Sequence, residues 1–280
     1  MRAVALGLAL ALGAGSASAQ TMRPFSTYRQ LHGETRLDAT LEYAAGVLRL
    51  APGRATELYR MDVSYDDQRF LPTSDYDAGR GAVVLGVRAA GQGGLRVVSG
   101  RQLRQAANVS LSPRVDLSLD VTLGATDADL DLGGLRVAEW TLRAGASQAL
   151  VRFSQPNGVR CRRGAVTAGA AELTVVGLGN SRCDRIDVEG GMGKVVLDFG
   201  GAWSNSSAVG VKMAVGELTL RLPRHVGVRL TLDKFLASFD PAGLVSRDGA
   251  FESPGYAEAE RRLDIAVTTA VGGVKVAWVD

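Results

Sequence analysis

Residues 187–199 read DVEGGMGKVVLDF. Glycines crowding into a Gly193-Lys194 pair resemble a phosphate-cradling loop. That motif also needs a glycine five residues before the pair and a Ser or Thr after the lysine, and it opens a helix. Val188 and Val195 occupy the two positions, and Val195, Leu197 and Phe199 alternate as in a strand. No nucleotide site is expected, and the glycines need another reason.

The reason is a repeat. Segments VTLGATDADLDL, TLRAGASQALVRF, AVTAGAAELTVVG, DVEGGMGKVVLDF, VKMAVGELTLRL and VTTAVGGVKVAWV align on Gly124, Gly145, Gly169, Gly191, Ala214 and Ala270. The successive spacings are 21, 24, 22, 23 and 56 residues, and the last leaves room for two further coils and a loop. Three residues before the anchors stand Val121, Leu142, Val166, Val188, Val211 and Val267. Six after stand Leu130, Val151, Val175, Leu197, Leu220 and Val276. Five before, Trp140 and Gly164 share a row with Leu119, Ile186, Val209 and Ile265.

Apolar positions are odd before the anchor and even after it. A strand with one buried face has period two, so the chain must turn a corner to keep both halves facing one core. Glycine tolerates positive φ and close backbone approach there. Gly124, Gly145, Gly169, Gly191, Gly216 and Gly272 are the expected corner positions. Units of about 22 residues built from short strands describe coils of a parallel β-solenoid. The expected fold is all-β, a right-handed parallel β-helix, with about eight to ten coils stacked at about 4.8 Å. The row seven after the anchors sets Asp131 beside Arg152 and Asp198 beside Arg221, a modest cross-strand stabilisation.

Toward the N-terminus the repeat blurs. Residues 41–52 form one unit with Ala44-Ala45-Gly46 at its corner, and 81–89 another strand. Residues 65–76 and 91–107 read as loops, and 255–262 as a loop with a short turn. The organisation expected is a signal peptide over 1–19, a leader or cap over 20–36, irregular coils with protruding loops over 37–115, and regular coils over 116–280. Met1-Arg2, the apolar run 3–15 and Ala17-Ser18-Ala19 before Gln20 fit a cleavable secretory signal. No later stretch approaches the roughly 20 apolar residues of a spanning helix. The expected location is outside the cytoplasm, periplasmic or extracellular.

Five stretches carry a family resemblance: LDATLEYAAGVLRL (37–50), SPRVDLSLDVTLGATDADLDLGGL (112–135), DVEGGMGKVVLDF (187–199), AVGELTLRLPRHVGVRLTL (214–232) and RRLDIAVTTAVGGVKV (261–276). Over residues 34–280 the sequence resembles the bacterial toastrack family, the β-solenoid domains of LiaF-type cell-wall-active-antibiotic-response proteins and related adhesin-like proteins. The resemblance implies a link to envelope-stress signalling and brings no catalytic residues. Family members commonly carry membrane helices ahead of the solenoid. This sequence has a cleavable signal there instead, so control of a sensor kinase from within the membrane is not implied.

The residues offer little chemistry. Formal charge is +3, or +2 without Arg2, and the basic residues are dispersed, unlike a nucleic-acid binder. His32 and His225 are the two histidines; neither has metal-ligand spacing, and no G-x-S-x-G elbow accompanies them. Asp127, Asp129 and Asp131 lack the nine-residue repeat of calcium-binding solenoids. Asp66 and Asp67 read as solvated loop charges. No catalytic residue, cofactor or metal is expected. Cys161 and Cys183 each lie eight residues before an anchor, so they share a position in consecutive coils and are disulfide candidates in an oxidising compartment; stacked free thiols are the other reading. The function expected is a non-enzymatic envelope scaffold that binds another protein or cell-wall glycan. A surface adhesin or spacer comes second and a carbohydrate-active β-helix enzyme third.

Overall fold

The computed structural model describes residues 21–90 and 105–280. In chain order the strands are β1 (Met22–Gln30), β2 (Arg36–Pro52), β3 (Glu57–Asp66), β4 (Phe70–Asp77), β5 (Ala82–Ala89), β6 (Ala106–Leu111), β7 (Asp116–Asp131), β8 (Arg136–Ala144) and β9 (Gln148–Arg152). They continue as β10 (Cys161–Val176), β11 (Cys183–Asp198), β12 (Ser207–Pro223), β13 (Gly227–Asp240), β14 (Val245–Arg247), β15 (Ala250–Glu252) and β16 (Arg262–Val279). One short helix, α1 (Leu178–Ser181), precedes β11.

The protein is a parallel β-solenoid. Its levels run β5 with β6, β2, β7, β8 with β9, β10, β11, β12, β16 and β13, each parallel to the next. The pairings flanking each anchor put Gly124, Gly145, Gly169, Gly191, Ala214 and Ala270 in one row. The inward rows merge into a single core: Val121, Leu142, Val166, Val188, Val211 and Val267 are all buried. Size is balanced between neighbours within a row. A Cβ on Gly164 would lie 2.6 Å from the Trp140 indole, its partner on β8. The glycine gives the indole its space.

Level order departs from chain order at both ends. The long first-half strand β2 pairs with β5 and β6 on one side and β7 on the other. The last strand, β16, inserts between β12 and β13. The 56-residue gap therefore holds one coil, β13, and the β14–β15 hairpin, rather than two coils. That coil lies beyond β16, which follows it in sequence.

The irregular stretches are also more ordered than their composition suggests. Residues 65–76 are not a protruding loop: β3 ends at Asp66, and after a turn β4 runs antiparallel to β5. Within 91–107, Ala106 and Ala107 begin β6; residues 91–104 lie outside those described, as do residues 1–20, which contain the expected signal peptide 1–19. β1 adds antiparallel to β3, and β3 to β6. β1 and β4 are outer strands, and their polar side chains on the solvent face make them read as cap or loop; β6 is a half-level of six residues between β3 and β2. At the opposite side of the coils, buried Asn157 receives the Val137 N–H (2.8 Å) and donates to the Val137 and Ser181 carbonyls (2.7 and 3.0 Å), so one side chain ties three levels.

Candidate functional site: an apolar ridge along the corner

From β7 onward the phase change at the corner leaves two consecutive residues off the inward rows on each level, whereas on β2 the second, Ala45, is buried. The first is the anchor. The second forms a row of Ala125, Ala146 and Ala170, followed by Met192, Val215, Val271 and Leu236. The alanines give way to large apolar residues from β11 onward. Met192 is 64% exposed, and Val215, Val271 and Leu236 are exposed with it. Phe235, which stands opposite Ala270 in the anchor row, is 79% exposed.

Small anchors beside this ridge hollow out a groove of about 730 Å³ that runs along the stack. Gly190, Gly191, Ala214 and Ala270 floor it, and Phe235 stands at its end. The wall across from the ridge is polar: Glu189, Lys212, Thr268 and Asp233 line it, with Glu189 and Lys212 ion-paired at 3.5 Å. The groove thus has a floor of small residues, one charged wall and Phe235 at its end, and the ridge lies just outside its lining.

A second hollow, about 450 Å³, opens on an outer face where Ala208, Gly210 and Ala266 are small. Arg185, Arg229, Asp264 and Tyr256 surround it. The Tyr256 hydroxyl donates to Asp264 at 2.6 Å. Burial, then the hydrogen bond to that carboxylate and its charge, push the phenol above its ordinary pKa.

The residues singled out in the sequence fall elsewhere. His32 and His225 are exposed and apart from both features. Asp66 and Asp67 are not solvated loop charges: Asp66 is buried at the end of β3, and Asp67 pairs with Arg23 at 2.5 Å. Arg152 faces Asp131 across the ladder but forms its ion pair with Asp129 at 2.8 Å; the Asp131 carboxylate instead accepts from the Gly133 N–H and the Ser154 hydroxyl. Asp198 and Arg221 do pair, at 3.5 Å. Among the described residues no group of three or more His, Cys, Asp or Glu could hold a metal. Cys161 and Cys183 are register partners, with Cα atoms 4.1 Å apart and sulfurs at bonding distance, 2.01 Å.

The corner glycines divide into two kinds. Gly216 and Gly272 have φ of +140° and +133°, as do Gly46 (+105°) and Gly193 (+136°). Gly124, Gly145, Gly169 and Gly191 lack positive φ. The left-handed position is thus two residues past the anchor. The ridge was legible in the same alignment, one residue past the anchor. Phe235 and Leu236 were missed because residues 227–240 were not aligned, although Leu230, Leu232 and Phe239 fit the pattern around Phe235.

Residues 14–176 match the family described as the N-terminal domain of toast_rack, and residues 178–276 that described as cell wall-active antibiotics response LiaF, C-terminal. Three solved structures align with the chain. A proposed cell adhesion protein from Clostridium sporogenes is 15% identical, covering 92% of this chain and 100% of its own, with a TM-score of 0.49. A proposed adhesin from Bacteroides fragilis is 10% identical over 92% and 98%, with a TM-score of 0.36. Another from Parabacteroides merdae is 10% identical over 92% and 97%, with a TM-score of 0.34. No curated protein matches.

Proposed function

The chain belongs to the toast-rack family, and from that membership we propose that it is an exported, non-enzymatic envelope protein whose corner ridge holds a protein partner. One observation carries the reading: Met192, Val215, Val271 and Leu236 expose a continuous apolar row beside a charged-walled groove. Contiguous exposed apolar surface of this kind marks interaction sites on soluble proteins. The core does not need it, since alanines fill the same row on earlier levels. Export rests on the N-terminal sequence; no helix among the described residues is long and apolar enough to cross a membrane. The LiaF-like match supports an envelope-stress setting for the partner.

The test is recovery of a partner from envelope extract by the mature protein. Met192→Glu with Val215→Glu should cut recovery at least tenfold, the loss of a buried apolar hot spot, with the circular dichroism spectrum unchanged. Equal recovery by the variant would refute the ridge. Turnover of a polysaccharide that vanishes on replacing one acidic pair would refute the non-enzymatic reading.

A cell-wall glycan is the second reading, favoured by the outer hollow. Its aromatic Tyr256, two guanidiniums and Asp264 offer stacking and hydrogen-bonding groups to a sugar. Binding to purified cell wall should then fall on Tyr256→Ala and be indifferent to the ridge substitutions.

A further inference from the structure

The two ends of the solenoid are finished differently. At the N-terminal end, β4 covers the outer edge of β5, β3 covers β6, and β1 covers β3. At the other end, β15 covers the outer edge of β13 only at Arg229 and Leu230. From Thr231 to Asp240 no strand among the described residues pairs with that edge.

The backbone direction of this edge can be read from its covered part. The Gly227 N–H donates to the Arg261 carbonyl (3.0 Å), toward β16. The Val228 N–H and carbonyl point the other way, bonded to the Ser253 hydroxyl and N–H, both at 2.9 Å. Successive residues of a strand direct these groups to opposite edges. Leu230, Leu232 and Lys234 therefore present theirs outward; past the corner, where the phase shifts by one, Ala237 and Phe239 do so. An independent contact agrees: the Lys234 ammonium folds over the edge onto the Ala237 carbonyl at 3.0 Å, an acceptor that no strand uses. Phe235 and Leu236, between these groups, are among the most exposed apolar residues of the protein.

We infer that the outer edge of β13, residues 231–240, receives an extended strand from another polypeptide, one carrying basic residues on either side of an apolar centre. The hydrogen-bonding groups of Leu232, Lys234, Ala237 and Phe239 set the strand's backbone, as edge addition requires. Phe235 and Leu236 set its centre. Asp233 and Asp240, outward-facing and seven residues apart, set its charges; neither forms an ion pair among the described residues, and Asp240 accepts only the Ala242 N–H, at 3.1 Å. Charge also argues against a second copy as the occupant. The only cation on this edge is Lys234, which stands in the inward row, so two such edges would meet acid to acid or acid to neutral. Lys234 acts as a light guard, of the kind that blunts open edges, and yields its carbonyl when a strand arrives. The edge shares Leu236 with the corner ridge, but the inference goes beyond the ridge because it rests on main-chain groups of β13 that the ridge does not use.

The probe is a synthetic peptide of about ten residues, alternating valine and threonine, with an apolar pair at its centre and lysines seven apart, read by fluorescence anisotropy on the mature protein. Saturable binding is expected. Ala237→Pro removes an outward N–H without touching the β16 ladder and should weaken it at least tenfold at an unchanged melting temperature. Asp233→Lys with Asp240→Lys should weaken it likewise and transfer the preference to a peptide with glutamates in place of the lysines. Met192→Glu should leave it unaltered. No binding, equal binding to the Ala237→Pro protein, or indifference to charge reversal would overturn the inference. So would concentration-dependent dimerisation of the protein that Ala237→Pro abolishes, which would give the edge to a second copy.

Discussion

Gly216 carries a constraint that the anchor glycines do not, positive φ together with a backbone wall. Its φ is +140°, and a Cβ there would lie 1.9 Å from the Gly193 carbonyl oxygen. Gly272 repeats this against Gly216, and Gly193 against Ala171. Positive φ and a backbone wall cannot both be relieved by side-chain movement. Gly216→Ala should therefore lower stability by about 2–4 kcal/mol, seen as a lower urea midpoint. Gly169→Ala should cost less than about 1 kcal/mol, since its nearest atom would be 3.4 Å away and alanine already serves at 214 and 270. The sequence named Gly216 and Gly272 among the corner positions, but on the levels from β7 to β11 it named the anchor; on β11 that is Gly191, although the positive φ lies two residues further on, at Gly193. Period-two alternation reports which face a side chain takes. It does not report φ.

Between elements, in-register stacking makes consecutive coils predictable from one another. Cys161 opens β10 and Cys183 opens β11, and they face each other because the pairing of Val166 with Val188 extends back to them. A bridge closing a loop of 22 residues should contribute about 3 kcal/mol in the chain-entropy model. The Cys161→Ala, Cys183→Ala protein is expected to unfold at correspondingly lower denaturant. Alkylation of exported, denatured, unreduced protein should label neither cysteine in the parent chain; full labelling of both would remove the bridge. Strands with one wet and one buried face, from β7 to β12, were legible because every level repeats the same apolar rows. β1, β4 and β6 were not. β1 and β4 are antiparallel outer strands whose polar side chains mimic a loop, and β6 is a short half-level with no aligned partner sequence.

Over the whole molecule, local pattern identifies levels but not their order. Nothing in RRLDIAVTTAVGGVKV shows that it lies between β12 and β13, because its inward rows would fit any level equally well. The 56-residue spacing was the only sign of an irregularity. The candidate surfaces have the same limit: the ridge follows from the alignment, whereas the open edge of β13 exists only because β16 steps back inside. That step has a mechanical meaning. In a solenoid wound in sequence, tension on the last strand peels it from one neighbour. Here a pull on Asp280 loads β16, which must break its ladders to β12 and β13 together. A pull through the β14–β15 turn at Asp248 instead loads β13, held along most of its length by β16 alone. In single-molecule stretching from residue 22, attachment at residue 280 should give the higher first rupture force and attachment at 248 the lower, and equal forces would contradict this. The two attachments differ by one handhold on the same fold, so β16 is the molecule's anchorage against load.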